Sequence, residues 1–173
     1  MALFALCACS SGQAEQRKPA KPNQAEKLTV IAPGVKADRI LVDKSDRILI
    51  LYKGTKEIAR YAKIRLGDAP VSHKQFEGDE KTPEGTYVIS GRNPGSSYHR
   101  SLKVSYPNAA DIAYAKSKGR PAGGDIFIHG QPNGYKGGII ARDWTDGCIA
   151  LSNAQIEQLW DIVPDGAKIT IRP

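Results

Sequence analysis

From residue 28 onward the chain is a succession of short runs rich in Val, Ile and Leu, each closed by turn residues, and no other feature constrains the fold as much. The runs fall at 28–31, 39–42, 47–52, 57–66, 86–90, 102–105, 125–129 and 167–171. About eight or nine strands in roughly 145 residues argue a mainly β domain. Residues 43–46, Asp-Lys-Ser-Asp, read as a hairpin turn, and Lys53-Gly54-Thr55 as the next. Two short helices interrupt the strands. Asn108 caps one that runs through Asp111, Ile112, Tyr114 and Ala115 and stops at Gly119. The other starts at Ser152 or Asn153: Ile156, Leu159, Trp160 and Val163 recur at helical spacing, Gln155, Glu157, Gln158 and Asp161 are assigned to water, and Pro164 to Gly166 end it.

Composition narrows the class. With 173 residues, 40% hydrophobic and 25% charged, the chain can bury one real core. Gly and Pro show no period and only three Cys occur, which excludes a collagen-like or disulfide-built scaffold. No run of 18 apolar residues exists that could cross a membrane as a helix. The net charge of +7 is spread along the chain without a basic cluster or a nucleic-acid motif. That pattern fits a soluble basic surface, or an anionic partner such as cell wall or membrane surface, and not nucleic acid.

Residues 1–27 read as an address rather than as core. The apolar run from Met1 to Cys9 is short and has no basic flank, and a polar, Pro-containing stretch follows it. Leu6-Cys7-Ala8-Cys9 resembles a bacterial lipobox, which would put a lipid on Cys9. A plain cleaved signal, or an artefact of cloning or start-site choice, are the alternatives. Residues 13–26 would then be a flexible tether, and 28–173 the folded domain. Export is the expectation, with membrane contact through Cys9.

Within 28–173 there is a single cysteine, Cys148. A buried structural thiol is the plain explanation. In an exported protein, however, a thiol without a disulfide partner is open to oxidation, so its presence suggests use. Cys148 follows Gly147 in a turn that leads into a capped helix, a setting in which successive backbone N–H groups can converge on an oxyanion. A thiol nucleophile needs a base. Of His73, His99 and His129, the last ends an apolar strand and precedes Gly130, where active-site residues commonly project; a satisfied surface or core histidine is the plain alternative for each.

These residues carry a resemblance. Ile128-His129-Gly130 and, after the 15 residues (130–144) that follow His129, Thr145-Asp146-Gly147-Cys148-Ile149 resemble the signature of the YkuD-type L,D-transpeptidases. Upstream, Gly78-Asp79-Glu80-Lys81-Thr82-Pro83-Glu84-Gly85-Thr86-Tyr87 resembles the family's Thr-Pro-x-Gly segment. The likeness spans about 28–173. Asp146 stands where most members have a second His, and Ala150 where many have Arg or Asn; both bear on donor contacts. Trp144-Thr145-Asp146-Gly147-Cys148-Ile149-Ala150 also looks like a Gram-negative subgroup in which cleavage of peptide bonds is an outcome beside their formation.

The resemblance implies a YkuD-like β-sandwich or β-rich catalytic domain and a cysteine acyltransferase. Cys148, paired with His129, would attack the third residue of a peptidoglycan tetrapeptide stem, expel D-alanine and hold a thioester. An amine would resolve it into a cross-link or an attached protein; water would give a trimmed stem or release a wall-linked lipoprotein. Gly147 N–H would hold the oxyanion. A carbonyl at Thr145 or Asp146, or the Asp146 carboxylate itself, would orient His129. Arg142 is the candidate cation for substrate carboxylates, and Tyr98, His99, Tyr106 and Trp144 are candidates for the groove. No metal or other cofactor is implied, since the three His are dispersed. The implied location is the periplasm of a Gram-negative bacterium. A reading from another class is a lipid-anchored wall-binding module without catalysis.

Overall fold

Short apolar runs pair into a sheet only when their alternation matches; seven of the eight runs do so here, and a two-residue strand at 149–150 joins them. The computed structural model describes residues 28–173; the lipobox-like segment, Cys9 and the tether at 1–27 lie outside the described residues. The strands are β1 (Arg39–Asp43), β2 (Ile48–Lys53), β3 (Lys56–Ala62), β4 (Gly85–Asn93), β5 (Ser101–Val104), β6 (Phe127–His129), β7 (Ile149–Ala150) and β8 (Lys168–Arg172). The helices are α1 (Ala109–Ser117) and α2 (Asn153–Ile162). The mainly β architecture with two helices is therefore as expected. Its layers belong to one curled sheet of eight strands in the order β3-β2-β1-β8-β4-β5-β6-β7.

Most neighbours are antiparallel, but β8 runs parallel to β1 and β7 parallel to β6. The turn between β1 and β2 forms where the sequence places it: Asp43 Oδ1 accepts from Asp46 N at 3.0 Å and from the Ser45 hydroxyl at 2.8 Å. Inward positions of successive strands, Ile40, Val42, Leu49, Leu51, Ile89, Leu102, Ile128, Ile149 and Ile169, are all fully buried. Ile156 and Leu159 of α2 join this core, and Trp160 packs at its margin. Among the described residues no helix is long and apolar enough to cross a membrane.

Three local expectations change. Residues 28–31 form no strand; Leu28 and Ile31 pack on the core while the Thr29 carbonyl accepts from Gln158 Nε2 at 2.8 Å. The run at 57–66 ends as β3 at Ala62, because Lys63 takes a left-handed φ of 61° and breaks the pleat. Residues 64–67 then cross to the far edge. Arg65 and Ala150 exchange N–H···O bonds at 2.8 Å, and Asp68 N donates to Thr145 O at 2.9 Å. This strap ties the β3 side of the sheet to β7. Finally, Gln155 does not face water but is 1% exposed, since its side-chain oxygen accepts from Ser152 N at 3.0 Å in a capping box.

Gly67, within the strap, lies under residue 80: a Cβ there would overlap the Glu80 carbonyl. Gly67→Ala is expected to cost about 1–3 kcal/mol through overpacking. Gly91→Ala, where a Cβ meets nothing within 4 Å, should change stability by no more than about 0.5 kcal/mol. Urea midpoints at unchanged m-value check both.

Candidate active site

The β6–β7 register decides what the site contains. Ile128 pairs with Ile149 and His129 with Ala150, and both isoleucines point into the core. Residues 127, 129 and 148 therefore lie on the opposite face, with Cys148 beside Phe127 and two residues short of His129. Adjacent strands lie about 4.8 Å apart, so the thiol and the imidazole rise from neighbouring positions. Both line one open cleft of about 1450 Å³.

Around Cys148 the contacts describe a protonated thiol. Phe127 N donates to Sγ at 3.4 Å, and Sγ–H donates to the Asp125 carbonyl at 3.5 Å. Asp125 takes a left-handed φ of 53°, which turns that carbonyl onto the sulfur. Burial pushes the thiol up to about 11; the Phe127 N–H opposes this, Asp146 and Asp125 add to it, and Lys74 pulls it down. At pH 7 such a thiol is ionised on the order of one part in ten thousand. The turn that presents it is braced by Thr145, whose hydroxyl donates to Cys148 O at 2.7 Å and accepts from Gly147 N at 3.3 Å. Gly147 has φ 125° and the Lys81 carbonyl 2.5 Å from where a Cβ would sit, so only glycine fits.

His129 is 3% exposed. Burial holds its pKa below 6.5, with the Gly130 contact opposing, so the ring is neutral at pH 7. Nδ1 lies 2.7 Å from the Gly130 carbonyl oxygen. A carbonyl can only accept, so Nδ1 carries the proton and Nε2 is left as the basic nitrogen. Tyr98 stacks on the ring at 4.6 Å between centroids, and Trp144 meets it edge-on at 5.6 Å. At Gly130 a Cβ would come 2.6 Å from Asn153 Oδ1, so that side chain would have to give up its 2.8 Å contact with Gln131 N.

The structure thus brings Cys148, His129, Gly147, Tyr98 and Trp144 together and corrects several other assignments. His129 is oriented by the Gly130 carbonyl, not by Thr145 or Asp146: the Thr145 carbonyl accepts from Asp68 N at 2.9 Å, and the Asp146 side chain is exposed at the cleft. Arg142 does not line the cleft. Asp143 beside it is drawn to Arg47 at 2.7 Å and to Leu66 N at 2.9 Å, which turns Arg142 outward, 75% exposed and 3.8 Å from Asp68. His99 also points away, its left-handed φ of 69° directing the ring to Glu157 at 2.5 Å. Tyr106 does line the cleft. Cleft cations that sequence reasoning did not single out are Lys74, Lys103, Lys116 and Arg120. They come from four separated stretches with no shared spacing, so only the Gly78–Asp79 motif near Lys74 offered a hint.

Comparison with known proteins agrees with this geometry. The sequence model of the YkuD L,D-transpeptidase catalytic domain matches residues 37–171, and the chain belongs to that family. The helical cell shape determining protein Pgp2 from Campylobacter jejuni is 30% identical over 80% of this chain and 48% of its own, with a TM-score of 0.63. Bd1075 from Bdellovibrio bacteriovorus is 25% identical over 84% of this chain and 51% of its own, with a TM-score of 0.56. An L,D-transpeptidase from Xylanimonas cellulosilytica, 16% identical with a TM-score of 0.54, shares the fold over 82% of this chain and 63% of its own. The chain spans about half the length of the first two. No match was found among curated proteins.

The buried neutral ring has a consequence for stability. A group whose pKa is lowered on folding binds fewer protons in the native than in the unfolded state, so its contribution is complete above 6.5 and is lost as the pH falls below that value. His129→Gln is therefore expected to show a smaller drop in Tm between pH 7 and pH 5 than the parent protein, as measured by calorimetry.

Proposed function

We propose that this domain is a peptidoglycan L,D-transpeptidase that works through a thioester on Cys148. The observation that carries the reading is the pairing of a thiol and a tautomerically fixed imidazole on one face of two parallel strands, inside a chain of the L,D-transpeptidase family. Both groups are neutral at rest, so the thiol is activated during attack rather than beforehand.

In this reading Nε2 of His129 takes the Sγ proton as sulfur attacks the carbonyl carbon of the third stem residue. The oxyanion is received by N–H groups of the Gly147–Cys148 turn; a preorganised donor of this kind is worth about 2.7–4 kcal/mol. Gly147 N must loosen its 3.3 Å contact with Thr145 to contribute. When the intermediate collapses, the C–N bond to terminal D-alanine breaks and the imidazolium returns its proton to the departing amine. An acceptor amine then attacks the thioester, the C–S bond breaks, and His129 passes the amine's proton to sulfur. Tyr98 and Trp144 wall the imidazole, and Thr145 holds the nucleophile turn.

A wall substrate supports a location outside the cytoplasmic membrane, and the likeness of Trp144–Ala150 to the Gram-negative subgroup supports reading that location as the periplasm. Anchorage through Cys9 belongs to this reading on the strength of the lipobox-like Leu6 to Cys9 alone. Water as the acceptor, giving trimmed stems or released lipoprotein, is a second outcome of the same thioester.

Incubation with a tetrapeptide stem should add the acyl tripeptide mass to the Cys148 peptide and release D-alanine. Cys148→Ala should abolish both while keeping the parent Tm. Absence of any adduct on the intact protein would leave the wall-binding module as the better reading, and turnover by Cys148→Ala would refute the nucleophile. Muropeptide mass analysis separates cross-linked from trimmed products.

A further inference from the structure

One buried charge has no part in the steps above. The Lys74 side chain is 3% exposed, yet Lys74 lines the same cleft as Cys148 and His129. Its ammonium donates to Asp79 Oδ1 at 2.8 Å and to Phe76 O at 3.0 Å. An ammonium has three N–H donors, so these contacts use two. Burying a cation is costly unless it is paired, and a lysine has to be held in such a place.

Asp79 does the holding. Its carboxylate also accepts from Gln75 N at 2.7 Å, Phe76 N at 3.0 Å and Lys81 N at 3.2 Å. Burial alone would raise this carboxyl, but the Lys74 contact and the three N–H groups hold it below its ordinary range. With its oxygens shared among four donors, Asp79 only partly offsets the lysine. Lys74 lines the cleft and Asp79 does not, so the pair is a dipole with its positive end at the cleft wall. From the opposite side Lys44 reaches Ser72 O at 2.6 Å and Thr82 O at 3.2 Å, fixing both ends of the segment. The same segment rests its Lys81 carbonyl on Gly147, next to the nucleophile. Lys74 is therefore fixed relative to Cys148.

The thiol needs such a charge. Asp125 and Asp146 face it, and Glu77 and Glu80 line the same cleft. His129 is neutral and gives no countercharge before proton transfer. Of the other cleft cations, Lys103 is engaged by Asp125 at 3.0 Å, Arg120 stacks on Phe76 at 4.1 Å, and Lys116 sits on α1. We propose that Lys74, braced by Asp79 as its positioning residue, is the fixed positive charge that stabilises the Cys148 thiolate as it forms.

The inference rests on Cys148 being the nucleophile, but its test requires no substrate, so an inactive stem assay and an unchanged thiol are separate results. Alkylation of the full chain by iodoacetamide is followed between pH 7 and pH 10 by mass analysis of the Cys148 peptide, which sets aside Cys7 and Cys9. Lys74→Met should react about tenfold more slowly at each pH, a displacement of about one pH unit. Lys74→Arg should stay within about twofold of the parent. If Lys74→Met fails to fold, Lys74→Met/Asp79→Asn leaves no unpaired buried carboxylate and should fold and show the same slowing. A parental alkylation profile in either folded neutral variant would overturn the proposal, as would failure of folded Lys74→Arg to restore the rate, since that outcome marks a packing role.

Discussion

The parallel pairing of β6 with β7 is the contact on which the site depends. It sets Cys148 beside Phe127 and puts the sulfur on the same face as His129. A slip of one residue would send either group into the core, because side chains alternate with a period of two. Yet β7 has only two residues, too few to hold a register alone. Its alignment comes from outside: Arg65 exchanges two backbone bonds with Ala150, and Asp143 binds Leu66 N and Arg47. The strap at 64–67 thus supports the candidate site without lining its cleft.

Electrostatics then determine how such a pair can work. Burial disfavours charge on both members, leaving a protonated thiol whose hydrogen points at the Asp125 carbonyl and a ring with its Nδ1 proton on Gly130. A neutral pair protects the thiol from oxidation, since the thiolate is the reactive form. In the proposed reaction proton transfer must then accompany attack, which makes the placement of nearby fixed charge matter more than in a preformed ion pair.

Much of this was legible in the chain. The strands that pair over four residues or more announce themselves by alternation, and both helices by their caps, Asn108 and Ser152, each in a capping box. Cys148 and His129 stood out through residue type and local context. What could not be read was any property that depends on where a peptide group points. The Gly130 carbonyl as partner of His129 carries no side-chain signal. Arg142 is close to Cys148 in sequence, but Asp143 turns the chain and sends it to solvent. His99 was grouped with Tyr98, but adjacent side chains diverge, one to the imidazole and the other to Glu157.

The amino-acid sequence by itself determined which groups could react and in what order they occur, because nucleophile, base and turn-forming glycines are properties of residue type and local spacing. Tertiary structure alone decided their protonation, their mutual face and the charges around them. Those depend on burial and on contacts between segments tens of residues apart, such as the Glu80 carbonyl against Gly67 and the Lys81 carbonyl against Gly147.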